Sequence, residues 1–269
     1  MQPLDHLGII AGNGIYPQVL AKAARSAGVK KISAVAFTNE TDPKLMELVD
    51  QIDWLRVGEL NRLLSFLRES RVRQAIMAGQ IAPRNLFDLH PDWRALLLLA
   101  KLKRRNAQSI FSAIALELEK IGVTLLPAVA FLEQFLAPNG VIAGLKLSRR
   151  EKSDVEFGWD IAKQIALLNI GQTIVVKNGT VLAVEGFDGT NETIRRGGAL
   201  GGSGVVVIKI SKPNQDLRFD IPVIGMETIG VATEAQVRVI AVEAGRTLLL
   251  ERDRVREAAS EASISIVGR

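Results

Sequence analysis

No cysteine occurs anywhere in the 269 residues. That excludes disulfides, thiolate nucleophiles and thiolate metal sites. Histidine is nearly absent too, with only His6 and His90. His6 precedes the first apolar run and His90 sits in a Leu-His-Pro sequence. Neither belongs to a triad pattern and there is no G-x-S-x-G, so histidine-based nucleophilic catalysis is not expected. Long apolar runs are missing as well. Runs such as Leu96–Ala100 and Val205–Ile208 fall far short of the roughly 18 residues of a membrane span. Met1–His6 shows no basic segment followed by an apolar one. The expectation is a chain without a secretory signal, resident in the cytoplasm.

What is present is ordinary for a globular chain: 48% hydrophobic and 23% charged residues. The length fits one large domain or two ordinary ones, and a chain of this size forms a full core without staples. The net charge is +5. Residues 1–135 carry 17 basic and 13 acidic side chains, against 17 and 16 in residues 136–269. Part of the excess is local, because Arg94, Lys101, Lys103, Arg104 and Arg105 follow one another with no acid between them. A basic excess favours phosphate esters, anionic membranes or nucleic acid. No nucleic-acid partner is expected here.

The pattern predicts an α/β chain of two domains, over 1–135 and 136–269. Leu7–Ala11 is an apolar run ending at Gly12-Asn13-Gly14, followed by an amphipathic stretch from Tyr16 to Ala27, a stop at Gly28 and a strand at Ile32–Phe37. This is the βαβ unit of a parallel sheet. Further strands at 51–57 and Gln74–Ala78, and helices at Leu60–Arg68, Trp93–Lys103 and Gln108–Ile121, complete a Rossmann-like first domain. Ala137–Gly140 marks the boundary. The charged stretch Ser148–Asp154 is expected on the surface, with a helix continuing to Asn169. Two β-branched runs flank Asn178-Gly179, the strongest short-range hairpin signal. The second domain is therefore a mixed α/β domain with an antiparallel hairpin. Gly197–Gly204 is read as a loop, either a mobile connection or an anion nest, before a strand at Val205–Ile210.

Several residues are candidates for chemistry. Gly12, Asn13 and Gly14 lie at a strand's carboxyl end before a helix, where open α/β sheets bind ligands. The same glycines also suit a plain tight turn. Gln18 stands where a third glycine of a dinucleotide motif would fall, which disfavours an oxidoreductase. Gln80 ends a second buried strand and is either a base or ribose ligand or a solvated loop residue. Trp93–Arg105 is either a core helix with a basic end or a surface for anionic lipid. Lys209 and Lys212 are point charges suited to a diphosphate. Glu185, Asp188 and Asp220 are carboxylates suited to an oxygen-liganded cation such as magnesium.

Leu7–Gly14 with Pro17, Ala78–Gln80, Ile170–Gln172, Val181–Glu185, Asp188–Thr190, Lys209–Pro213, Asp220–Gly225 and Glu243–Arg246 occur in an order and spacing that resemble the UDP-2,3-diacylglucosamine pyrophosphatases of the LpxI type, of lipid A biosynthesis. The likeness runs through essentially the whole chain. It implies two α/β domains with substrate between them. It also implies hydrolysis of UDP-2,3-diacylglucosamine, dependent on Mg2+ (or Mn2+). Water attacks the α-phosphorus to give UMP and 2,3-diacylglucosamine 1-phosphate. Asp220 matches the aspartate on which family activity depends. Gly12, Asn13, Gln80, Gln172, Thr190 and Lys209 match substrate-facing positions, and Lys212 joins them by its charge. The cation falls to Glu185, Asp188 and Asp220. The resemblance further implies an amphipathic UDP-sugar lipid as partner and peripheral contact with the inner face of the inner membrane, and leaves a homo-oligomer open. Arg105–Gln108 and Asp188–Asn191 depart from family segments that carry three more carboxylates. A nucleotide–lipid binding protein of the same fold, non-catalytic or of altered specificity, is the alternative function.

Overall fold

The computed structural model describes residues 4–81, 91–103, 107–212, 216–218 and 221–269. The chain divides into two compact units, Met1–Leu132 with Asp216–Asp220, and Glu133–Gln215 with Ile221–Arg269.

The first unit is built on five parallel strands, β1 (His6–Ala11), β2 (Lys31–Phe37), β3 (Gln51–Leu55), β4 (Gln74–Ala78) and β5 (Thr124–Leu125), in the order β3-β2-β1-β4-β5. The connections are α1 (Tyr16–Ser26), a 3-10 turn (Pro43–Leu48), α2 (Leu60–Glu69), and the pair α3 (Trp93–Lys101) and α4 (Ala107–Lys120). β1, fully buried from Leu7 onward, has the continuous apolar character of a strand covered on both faces. Leu60, Leu63, Leu64 and Leu67 of α2 repeat at three and four residues and bury one face against Ile10, Val35 and Leu55. Tyr16, buried at the start of α1, donates its hydroxyl to the Ala128 carbonyl. Burial drives that phenol far above its ordinary range.

The second unit carries a mixed six-stranded sheet in the order β6-β13-β11-β9-β7-β8. Its strands are β6 (Gly140–Ala143), β7 (Thr173–Lys177), β8 (Thr180–Val184), β9 (Val205–Lys209), β11 (Val237–Val242) and β13 (Ser265–Gly268), while β10 (Val223–Ile224) and β12 (Leu248–Leu249) pair separately. β9, β11 and β13 are parallel, and β6, β7 and β8 join antiparallel. Alternate residues face opposite layers. Val175, Val205, Val207, Ile240 and Val242 share one core with α6 (Gly189–Gly201), α7 (Met226–Glu234) and α8 (Arg252–Glu261). Ile174, Val176, Val206, Ile208, Val239 and Ala241 share another with α5 (Arg149–Leu167).

Two local expectations are corrected here. The glycines at 197–201 lie inside α6, and only Gly202 and Gly204 carry positive φ beyond it. A side chain at Gly197 would strike Val175, and one at Gly198 would meet Ala235 within 2.6 Å. These glycines let a helix approach a sheet and a neighbouring helix end, so they neither form a mobile connection nor supply an anion nest. Asp154 is also not a surface charge. It is buried, and its carboxylate accepts the amides of Asn178 and Gly179 at 2.9 and 2.8 Å. It thereby clamps the predicted hairpin turn, whose Asn178 and Gly179 both have φ > 0. The other end of the charged stretch is a capping box, Ser148 with Glu151, which starts α5.

Candidate functional site

In the first unit the strand order reverses between β1 and β4, so the carboxyl ends of those strands form the switch-point crevice of a doubly wound sheet. The sequence-predicted residues Gly12, Asn13 and Gln80 line that position. The Gly12 amide donates to the Ala78 carbonyl and the Asn13 amide to the Gln80 carbonyl, both at 2.7 Å. Asn13 and Gln80 thus form a bridge that ties the two strand ends together. A Cβ on Gly12 would overlap the Gln80 carbonyl oxygen and lie 2.8 Å from the Gln80 amide nitrogen. Gly79, at φ +91°, would meet Asn13 in the same way at 2.5 Å. Backbone packed against backbone is by itself enough to require glycine at position 12. Gly14 is different, since its surroundings are open and only its φ of +81° favours glycine.

The loop after β2 is drawn onto this turn. Asn13 Nδ2 donates to Glu40 at 3.1 Å, Gln18 Nε2 to Asp42 at 2.8 Å, and the Thr41 hydroxyl to the Ala11 carbonyl at 2.5 Å. Glu40 and Asp42 occupy the place after the second strand where doubly wound nucleotide-binding sheets hold a ribose-binding acid. Gln18, which breaks the glycine motif, holds one of them. Open backbone at Gly14, the start of α1 and the exposed Gln80 together make a surface suited to a nucleoside and its phosphate.

In the second unit, four of the predicted residues meet at one end of the sheet. Glu185, just past β8 and 8% exposed, accepts the Gln172 amide and the Thr190 hydroxyl, each at 3.2 Å. Thr190 also lies 3.2 Å from the Thr173 hydroxyl. Thr173 is the register partner of Lys209 on β9. The Gln172 carbonyl accepts the Ile210 amide at 3.0 Å, while its side-chain oxygen is buried without a hydrogen-bond partner. Gly171 is pressed so closely on Glu185 that any Cβ would overlap its carbonyl oxygen.

Lys209 does not face solvent. It is 4% exposed and its ammonium donates to the Val223 carbonyl at 3.0 Å. It therefore ties β9 to β10. Replacing it with methionine should cost about 1–3 kcal/mol of stability, because a buried carbonyl loses its donor, as a denaturant melt would read. Lys212 is half-buried. Arg218, six residues beyond Lys212 in sequence, counts with the first unit. There it bonds Asp216 at 2.8 Å and approaches Glu119 at 3.5 Å.

One participant had no assigned role from sequence. Glu243, just past β11, accepts both the amide and the hydroxyl of buried Ser211, at 2.8 and 2.5 Å, and Lys163 of α5 at 2.9 Å. It holds in place the segment that links Lys209 to Lys212. The only sequence signal was its place in the Glu243–Arg246 motif. Burial pushes its carboxyl pKa upward, but the bonds from Ser211 and Lys163 outweigh burial and leave it below the ordinary range. A folded pKa below the unfolded one gives stability that is present above the unfolded value and is lost as pH falls through the folded value. Glu243→Gln should therefore flatten the acid limb of a melting-temperature profile. An acid limb as steep as the parent's would show that other carboxylates set it.

Asp220, the predicted catalytic residue and third metal ligand, lies outside the described residues, as does His90. The other predicted cation ligands are already engaged. Asp188 accepts the Gly186 amide at 3.0 Å and pairs with Arg196 at 2.9 Å, and Glu185 serves Gln172 and Thr190. Among the described residues no three acidic or histidine side chains gather to hold a metal ion.

A doubly wound sheet with a switch-point crevice, followed by a mixed α/β unit with a buried Glu–Thr–Gln network, defines a two-unit α/β protein with a Rossmann-like first unit. Models of two domains match the chain, the LpxI N-terminal domain over residues 6–135 and the LpxI C-terminal domain over residues 138–267. The chain belongs to the LpxI family. It is 31% identical over 274 residues to the UDP-2,3-diacylglucosamine pyrophosphatase LpxI of Caulobacter vibrioides, covering 97% of this chain and 96% of that protein. The biotin carboxylase domain of Hydrogenobacter thermophilus 2-oxoglutarate carboxylase, solved with MgADP, ADP and bicarbonate, matches at 14% identity and a TM-score of 0.29. The match covers 67% of this chain and 36% of that one, a likeness too slight to carry a structural inference.

Proposed function

We propose that this protein hydrolyses the diphosphate of UDP-2,3-diacylglucosamine, releasing UMP and 2,3-diacylglucosamine 1-phosphate. The observation that carries this reading is the end-to-end match to a pyrophosphatase of that substrate. The β1/β4 crevice supports it as a place for the uridine end, near Gly12, Asn13 and Gln80. In the second unit, Glu185 and Glu243 hold Gln172, Thr190 and Ser211 in fixed positions, which suits groups that must meet a phosphate without rearranging. Asp220 takes the role of orienting the attacking water. No step is assigned to a metal ion.

Turnover in water enriched in heavy oxygen tests the reaction and its site of attack together. Attack on the α-phosphorus puts the label in UMP. Label in the lipid phosphate would overturn that assignment, and no UMP release from detergent-dispersed substrate, with or without added magnesium or manganese, would overturn hydrolysis. One observation favours a second reading. The engaged state of Glu185 and Asp188 suits a protein that binds the nucleotide lipid without cleaving it. Tight binding of intact substrate with no UMP formed would establish that alternative.

A further inference from the structure

Helix α3 presents its apolar side outward. Ala95 faces inward at 8% exposure and Leu98 packs against the same core. On the other side Trp93 is 63% exposed, and Leu96 and Leu97 are each 54% exposed. With Lys101 they follow three- and four-residue spacing, so they form one stripe. Leu116 of α4 is also largely exposed. The stripe is held rigidly. Asp92 accepts the amides of Ala95 at 2.8 Å and Asn61 at 2.6 Å, fixing the helix start. Arg94 turns aside to bond Glu117 at 2.9 Å. Lys101 and Lys103 stand exposed at the helix end, and no acid lies between Arg94 and Arg105.

We propose that this α3 face, Trp93, Leu96, Leu97, Lys101 and Lys103, docks the protein onto an anionic phospholipid surface. Exposed tryptophan and leucine enter the headgroup boundary, and adjoining cations meet negative lipid. A nine-residue apolar helix is too short to anchor alone, and two weak signals together give reversible attachment. No described helix is long and apolar enough to cross a membrane, so contact through α3 is superficial. The inference rests on the proposed function in one respect, that a diacylated substrate resides in a bilayer.

The test is sedimentation of the full chain with vesicles of phosphatidylcholine, with and without phosphatidylglycerol. Binding is expected only with the anionic lipid, and high salt should weaken it. Lys101→Glu with Lys103→Glu should weaken it about tenfold or more, and Leu96→Glu with Leu97→Glu should abolish it. Both variants should keep the parental melting temperature and hydrolyse detergent-dispersed substrate as the parent does. Vesicle binding unchanged in both would overturn the proposal. So would a drop in solution mass of the leucine variant, which would make the face a contact between copies of the chain. If the parent binds anionic vesicles but releases no UMP in detergent, the hydrolase reading fails while the docking surface stands.

Discussion

A Gly12→Val protein should lose UMP binding and melt at a lower temperature together. Any side chain at this position is driven into the backbone of Gln80, because Gly12 and Gly79 allow the ends of β1 and β4 to touch. The strands must separate to accept it, at an overpacking cost of about 1–3 kcal/mol. Their separation distorts the crevice in which the uridine is proposed to sit. Gly14→Ala is the control. Its surroundings are open, so it incurs only the strain of a positive φ, about 1–2 kcal/mol, and leaves the Asn13–Gln80 bridge intact. Calorimetric titration with UMP and thermal melts separate the outcomes. A lowered melt with parental UMP affinity would move the nucleotide to another site. Parental values for both would refute the packing itself.

Asp220→Asn should cut turnover by on the order of a hundredfold or more, the loss typical of a preorganised electrostatic group. The amide keeps the shape of the carboxylate and removes its charge. Cleavage of a diphosphate needs a positioned water and relief of charge on the non-bridging oxygens, and a carboxylate serves the first need. UMP affinity and the melt should stay close to those of the parent, since the crevice residues Gly12, Asn13 and Gln80 are untouched. Full activity in a folded Asp220→Asn protein would assign the carboxylate's work to another group. Glu185 is the first to examine, because it is buried within the Gln172–Thr190 network.

Much of this protein was legible from local pattern. The strand, glycine turn and helix over 7–27 are set by apolar run length, by breakers and by helical period, all of which act within a few residues. So is the Asn178-Gly179 turn, where only residues tolerant of positive φ fit. Eight short segments in register were enough to indicate the family. The glycines of 197–201 read wrongly because local propensity penalises glycine in a helix, whereas here contact with Val175 and Ala235 demands it. Asp154 read wrongly because its partners lie 24 and 25 residues away. The engagement of Glu243 with Ser211 and Lys163 was likewise beyond the reach of sequence. So was the burial of Lys209 against Val223. Residues 226–269, with α7, α8, β11 and β13, had no clear local signature. Where apolar period and breakers are clear, sequence by itself determined strand, helix or turn, and it named the residues available for chemistry. Only the tertiary structure decided which of those residues meet and which charges are buried, because strand order and distant hydrogen bonds are set by packing between segments far apart in the chain.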